Sequence, residues 1–233
     1  MEIAVIGTGM VGRAFATRLA GLGHDVVIGT RDVEQTLART EPDDRGIPPL
    51  STWFADNPDA RLVAMADAGA HGELIINATL GANAIEALTL VGADNLAGKV
   101  LLDISLPLDR TEGWPPGLSI VNDDSLGELI QRTFPDTRVV KSLTTVQYEV
   151  MLNPARLPGD HLMFVAGDDA DAKAAVTTLL EEFGWRPGGL FDLGGISAAR
   201  AIEMYSRLQF TLAGFYPDYQ FNIALVRPAA DHA

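Results

Sequence analysis

The chain has 233 residues, of which 47% are apolar and none is cysteine, and it carries a formal net charge of −14. This composition supports one sizeable hydrophobic core and excludes a disordered chain, a disulfide framework and thiolate nucleophiles or metal ligands. The negative field repels nucleic acid and anionic membranes, so any anion bound here needs a locally positive site.

The start, "MEIAVIG", runs straight into a strand, Ile3–Gly7, without the basic region or cleavage site of a signal peptide, and no later apolar run reaches bilayer length. With cysteine absent, the expectation is a reducing, cytoplasmic setting. Met10–Leu22 has helical spacing, with Val11, Phe15 and Leu19 on one face and Gly21 and Gly23 suited to its end. Asp25–Gly29 reads as a second strand, and the proline- and aspartate-rich stretch Arg39–Leu50 as a loop. Strands are expected at Arg61–Met65, Glu73–Ala78 and Lys99–Ser105, with a helix over Asn83–Val91. A proline-rich connection leads to a helix at Leu126–Phe134, opened by the capping box of Ser125 and Glu128, and then to a buried strand at Arg138–Leu143. Beyond Tyr148 come a loop, a strand at His161–Gly167, an amphipathic helix at Asp169–Phe183 ended by Gly184, and a strand and turn over Gly189–Gly195. A long helix over Ile196–Phe215 and a last edge strand, Tyr219–Arg227, close the chain. The alternation of strand and helix predicts an α/β fold: a doubly wound parallel sheet of Rossmann type over residues 1–145, with a smaller α/β portion over 146–233 and a soft boundary between them.

Gly7, Gly9 and Gly12 form G-x-G-x-x-G between the first strand and the first helix. In that context the first glycine permits a tight turn, the second lets backbone approach a pyrophosphate, and the third lets helix and strand pack closely. The helix N-terminus then offers free N–H groups to the phosphates, which is how an acidic protein can hold an anion. At the tip of the second strand stand Thr30 and Arg31, a hydroxyl and a guanidinium suited to the 2′-phosphate of NADP. Asp32 keeps NAD open, because a shift of one residue places its acid at the ribose. Two more strand ends are polar where ligands bind in such sheets: Asn77, Ala78 and Thr79, and Lys141 to Thr145. Lys141 reads equally well as a solvent-facing edge residue. None of His24, His71, His161 and His232 has metal spacing to another, and no nucleophile elbow or nucleophile–base couple is visible. Hydride transfer suits this absence, since the cofactor carries the chemistry.

Four stretches, "IGTGMVGRAFATRLAGLGHDVVIGTRD", "FPDTRVVKSLTT", "FVAGDDADAKAAVTTLLEEFGW" and "DLGGISAARAIEMY", together resemble the NADP oxidoreductases typified by the reductase that uses the deazaflavin coenzyme F420. The chain is also similar to the cytosolic domain of membrane metalloreductases, which use NADPH and a flavin. The resemblance implies that Thr8, Gly9, Met10, Val11 and Gly12 hold the pyrophosphate and that Thr30 and Arg31 hold the 2′-phosphate. It implies that Thr145, Val146 and Gln147 line the nicotinamide pocket, and that hydride passes directly to F420 or a flavin. Thr144 stands where the reductase carries a histidine, and Met204 replaces one of the small hydroxyl residues of the last helix, while Ser197, Arg200, Glu203 and Ser206 match. The acceptor pocket is therefore expected around Thr144, Ser197 and Arg200, with Arg200 open to a plain surface pairing with Glu203 or a neighbour. A small-molecule redox acceptor is the expected partner. The apolar positions Ile202, Tyr205, Leu208, Phe210 and Leu212 of the last helix suit either a homodimer contact or core packing. Two rival readings are a non-catalytic NADP sensor and a reductase of a small imine or carbonyl, for which Thr144, Tyr148 and Lys141 are the proton donors near at hand.

Overall fold

β1 (Glu2–Ile6), α1 (Met10–Gly21) and β2 (Asp25–Thr30) make the opening βαβ unit. Then come α2 (Val33–Leu37), α3 (Leu50–Asp56), β3 (Arg61–Ala64), α4 (Met65–His71), β4 (Leu74–Asn77), α5 (Ala84–Val91) and α6 (Ala93–Leu96). β5 (Val100–Asp103), a small hairpin of β6 (Leu108–Asp109) and β7 (Gly117–Leu118), α7 (Leu126–Thr133) and β8 (Arg138–Ser142) follow. The remainder is α8 (Tyr148–Leu152), β9 (Met163–Ala166), α9 (Ala170–Phe183), β10 (Leu190–Asp192) and α10 (Ala199–Ala213). The computed structural model describes residues 1–43, 46–58, 60–216 and 218–226.

One eight-stranded sheet organises these elements, in the order β10-β9-β8-β5-β4-β1-β2-β3. Its neighbours run parallel except for the antiparallel pair β8–β9. The central strands are short aliphatic runs, "IAVI", "LIIN" and "VLLD", buried on both faces as parallel strands covered by helices must be. Successive residues alternate between the two cores. Ile3 and Val5 face α1 and α9, where they meet Phe15, Leu19, Val176 and Phe183. Ala4 and Ile6 face the other layer, with Leu88 and Val91 of α5 and Ile130 of α7. The rings of Phe15 and Phe183 meet edge to face at 5.8 Å, so α1 and α9 share one core. The division near residue 145 therefore falls inside a single sheet.

The helix starts follow the capping chemistry written in the sequence. Ser125 Oγ accepts from the Glu128 amide at 3.1 Å and donates to the Glu128 carboxylate at 2.7 Å. Asp169 accepts from Ala172 N at 2.7 Å, and α9 ends at Gly184. Several boundaries differ from expectation. Met65 opens α4 instead of closing a strand, because the buried faces of Met65 and Ala68 pack under the sheet. The expected helix at Asn83–Val91 begins with a 3₁₀ turn over Gly81–Asn83, and α10 likewise follows a 3₁₀ turn over Ile196–Ala198. The expected strand at the C-terminal end is absent over residues 219–226, where the bonds Leu162 N to Ile223 O at 3.0 Å and Asn222 Nδ2 to Leu162 O at 2.7 Å, with Gln220 held between Arg156 and Glu149, tie the segment down. Arg227 and His232 lie outside the described residues. On α10, Ile202 is buried while Leu208 is exposed, so core packing explains only part of the apolar stripe.

Candidate cofactor and acceptor cleft

A cleft of about 700 Å³ opens along the carboxyl ends of the strands, lined by residues from the tips of β1, β2, β4, β5 and β8. In doubly wound sheets this edge is where ligands bind. Its first end is the glycine loop. Gly7 has φ +130°, and a Cβ there would stand 2.7 Å from Ala78 O. At Gly12 a Cβ would meet Gly7 O at 2.1 Å, so glycine alone lets α1 lie against the loop. Gly9 differs: nothing lies within 4 Å of its would-be Cβ, and it precedes α1 with no side-chain cap and no acid in the first turn. The first amides of α1 thus point, unpaired by any side chain, into open space of a size that fits a pyrophosphate. Arg13, which sequence reasoning missed, closes this end. Its guanidinium donates to Thr8 O at 2.8 Å and to Pro48 O at 2.6 Å, holding the proline loop beside the glycine loop. Burial lowers its pKa from the ordinary arginine value, which the charge of Asp43 partly offsets.

At the tip of β2, Thr30 is buried with its hydroxyl on Thr36 Oγ1 at 2.8 Å. Arg31 is exposed on the cleft rim and has no partner among the described residues. Asp32 is taken up by the fold: its carboxylate caps α2, accepting from Gln35 N at 2.8 Å. A free cation beside an acid already engaged as a helix cap favours a 2′-phosphate over a bare ribose. Ala78 and Thr79 line the cleft, but Asn77 does not. Asn77 is fully buried and donates to Asp103 at 2.9 Å and Ser105 at 3.2 Å, while its carbonyl accepts from Thr79 Oγ1 at 2.7 Å.

Beneath this floor lies a charge cluster that the sequence did not disclose. Lys141 is fully buried, with Nζ 2.8 Å from Asp103 and 3.0 Å from Glu203, and it also donates to Ser105 O. It therefore faces neither solvent nor the cleft, because β8 lies inside the sheet between β5 and β9. Burial works against its charge, but Asp103 and Glu203 together outweigh that and raise its pKa above the ordinary lysine value. Glu203 also accepts from the amides of Leu126 and Gly127 at 2.9 and 3.0 Å, so the N-terminus of α7 shares the balance of charge. Asp103 accepts from Ser105 Oγ at 2.6 Å and so orients a residue of the cleft wall.

Past β8 the chain turns sharply. Leu143 has φ +66° and Thr144 N bonds back to Ser142 O at 2.9 Å, a strained turn of the kind that gathers at ligand sites. Thr144, Val146 and Gln147 line the cleft, whereas Thr145 points into the core with its hydroxyl 3.7 Å from Met163 sulfur. Gln147 also caps α8, accepting from Glu149 N at 2.7 Å. Ser197 and Arg200 are not on the cleft wall. Ser197 is exposed, and Arg200 is bound to the Glu128 carboxylate by two bonds of 2.6 and 2.9 Å, with Glu128 its partner and not Glu203. The Arg200 hydrogen bond holds the Glu128 carboxyl below its usual range. The far wall comes instead from Tyr148, Met151, Gln209, Phe210 and Tyr219. Trp114, on the β6–β7 connection, braces Phe210 and Tyr219 edge to face at 5.4 and 6.3 Å. Hydropathy could not single out Gln209 and Phe210, which sit among ordinary helical residues. Glu2, Asp25 and His71 bring ligand atoms within 4.8 Å of one another, but at the opposite edge of the sheet, where Arg61 pairs with Asp25 at 2.7 Å.

The fold and this cleft define a Rossmann-type dinucleotide-binding protein with room for a second ring beyond the nicotinamide position. A family model described as "NADP oxidoreductase coenzyme F420-dependent" matches residues 2–107. The F420-dependent NADP reductase of Methanothermobacter marburgensis is 30% identical over 217 residues, covering 91% of this chain and 92% of the relative. The chain belongs to the F420-dependent NADP oxidoreductase family and is an NADP-dependent oxidoreductase. A crystal structure of a candidate F420-dependent NADP reductase from Arthrobacter sp. FB24 superposes with TM-score 0.92 at 51% identity, covering 97% of this chain and all of that one. Metalloreductase STEAP3 of Rattus norvegicus is 26% identical over 202 residues, and the chain spans only 36% of its length. An imine reductase from Streptomyces aurantiacus, at 16% identity and TM-score 0.60, shares the fold alone. No helix among the described residues is long and apolar enough to cross a membrane.

Proposed function

We propose that the protein passes a hydride between NADP(H) and a planar deazaflavin or flavin acceptor held in the same cleft. The observation that carries this reading is the change of wall along the cleft. A glycine loop and a free guanidinium stand at one end, and an uncharged, aromatic-rich wall stands at the other. NADPH held there would supply the hydride, which the acceptor ring would take up with a proton from water, leaving NADP⁺. The α1 amides and the Thr8–Gly12 backbone cradle the pyrophosphate, and Arg31 beside Thr30 meets the 2′-phosphate. Ala78, Thr79, Val146 and Gln147 hold the nicotinamide ribose and ring. Tyr148, Phe210 and Tyr219 would pack against the acceptor ring and, with Thr144, would exclude water around it.

Nothing in the wall supplies a strong acid. Burial raises the Tyr148 pKa, so its phenol is a poorer proton donor than a free tyrosine, and Lys141 is sealed below the floor. That disfavours imine or carbonyl reduction, in which the substrate nitrogen or oxygen must take up a proton from a side chain of the site as hydride reaches the carbon. A cytosolic setting and a homodimer belong to the same proposal, checked by fractionation and sedimentation. The deciding experiment is steady-state NADPH oxidation against deazaflavin, flavin, ferric and imine acceptors. Turnover with a deazaflavin or flavin is expected. Turnover confined to imines, or NADP binding without turnover on any acceptor, would sink the proposal.

A further inference from the structure

Of the polar side chains at the acceptor end of the cleft, two are more than nine-tenths buried and yet have polar atoms without a partner among the described residues. Gln209 is 4% exposed, lines the cleft, and its carboxamide makes no hydrogen bond among the described residues. Thr144 is 2% exposed and lines the same cleft, and its hydroxyl, itself buried behind the wall, has no partner. Buried polar groups are almost always paired, so an unpaired one in the wall of a cleft calls for an explanation, and a ligand atom supplies one. The rest of that wall is uncharged among the described residues: the apolar Ile104, Leu106, Leu108, Val146, Met151 and Phe210, with Ser105, Gln147, Tyr148 and Tyr219 as its other polar members. Arg110, just past β6, is exposed and does not line the cleft, and other cations near in sequence are held elsewhere. Arg156 pairs with Glu149 at 2.9 Å, Arg200 with Glu128, Lys141 with Asp103 and Glu203, and Arg207 donates to Pro115 and Pro116 carbonyls. An anionic group seated here would lose its hydration without gaining a counter-charge, inside a molecule of net charge −14.

We infer that the Gln209 carboxamide, helped by the Thr144 hydroxyl, reads the uncharged imide edge of the acceptor ring, and that any anionic tail of the acceptor stays outside the cleft. The inference rests on the proposed deazaflavin or flavin acceptor. A carboxamide offers one donor and one acceptor side by side. An imide edge, C=O, N–H and C=O in a row, meets it with one carbonyl and the N–H, a two-point match that a lone hydroxyl or an ion cannot replace.

Binding tests this without turnover. Riboflavin, 5-deazariboflavin, N3-methylriboflavin and FMN are titrated by fluorescence into the NADP⁺-saturated protein and its Gln209→Leu and Thr144→Val variants. Riboflavin and 5-deazariboflavin share the imide edge, so both should bind, and FMN should bind no better than riboflavin at low salt. Blocking the imide N–H should weaken binding to the wild-type protein about tenfold, the worth of one buried hydrogen bond. In Gln209→Leu that penalty should vanish, with NADP⁺ affinity unchanged. Equal penalties in wild type and Gln209→Leu, a clear preference for FMN that salt removes, loss of NADP⁺ affinity in the variant, or no binding of any ring would each overturn the inference. Ring binding with the expected pattern but no hydride transfer would leave the inference standing and reject the proposed reaction, so the two fail separately.

Discussion

The two ends of the cleft are built by different means. The phosphate end is local: the loop after β1, the tip of β2 and the first turn of α1 lie within residues 7–32. It offers backbone amides and the unpaired guanidinium of Arg31, groups whose geometry a short motif fixes. The acceptor end is assembled from residues 104–108, 144–151 and 209–219, and no charge lines it. Binding an anion in a molecule of net charge −14 demands strong, preorganised donors, whereas seating a neutral ring demands only shape, apolar contact and a few well-placed dipoles. The first requirement leaves a motif in the sequence, and the second leaves almost none.

The sharpest way to break this comparison lies under both ends. Lys141→Met removes the cation between Asp103 and Glu203 and leaves two buried carboxylates facing each other. Removing one partner of a buried ion pair costs about 3–5 kcal/mol, which for a chain of this length lowers Tm on the order of 10 °C. Pairing raises the Lys141 pKa above its unfolded value. Its contribution is therefore complete below the unfolded pKa and is lost only as pH rises through the folded one. Thermal melts across neutral and alkaline pH check both statements. A melt unchanged by the substitution would show the cluster to be idle.

Two glycines separate folding from binding at the phosphate end. Gly12→Ala drives a methyl to within 2.1 Å of Gly7 O and should cost about 3 kcal/mol, the upper range for overpacking against backbone. Gly9→Ala meets nothing within 4 Å, so stability should stay within about 0.5 kcal/mol while NADP binding falls, because the methyl occupies the space for phosphate. Parallel melts and NADP titrations would show whether the two positions divide in this way.

Arg31→Ala probes cofactor choice. Loss of a charged hydrogen bond is worth about 1.5–3 kcal/mol, at least tenfold in affinity, and it should fall on NADP and spare NAD. Equal losses for the two cofactors would place Asp32, and not Arg31, at the ribose, in spite of its cap on α2.

The same contrast explains what the sequence disclosed. Gly7, Gly9 and Gly12, the Ser125 capping box and the Asp169 cap are each defined within a few neighbours, and each stands where its spacing puts it. The strand alternation gave the sheet because "LIIN" and "VLLD" can lie only where both faces are covered. Lys141 could not be placed, since its partner Asp103 is 38 residues away in sequence and meets it only through the β5–β8 pairing. The short helices α2, α3 and α8 were missed because five to seven residues carry too little periodicity to register. Ser197 and Arg200 were assigned to the acceptor by resemblance. The 3₁₀ turn at Ile196–Ala198 and the ion pair to Glu128 fix them on α7's side of the fold instead.

That last assignment leads to the smallest expected effect. Arg200 is partly exposed and Glu128 mostly buried, so solvent screens the pair, and Arg200→Ala should cost little stability. Because pairing lowers the Glu128 pKa, this contribution is present above its unfolded value and is lost as pH falls through the folded one. The variant and the wild type should therefore differ slightly in Tm at neutral pH and converge in acid. Acceptor affinity should not change, since Arg200 is absent from the cleft wall. A drop in riboflavin or deazaflavin binding in Arg200→Ala, with Tm intact, would mean that the guanidinium leaves Glu128 to reach the ring, and the acceptor end would no longer be the uncharged half of the pair.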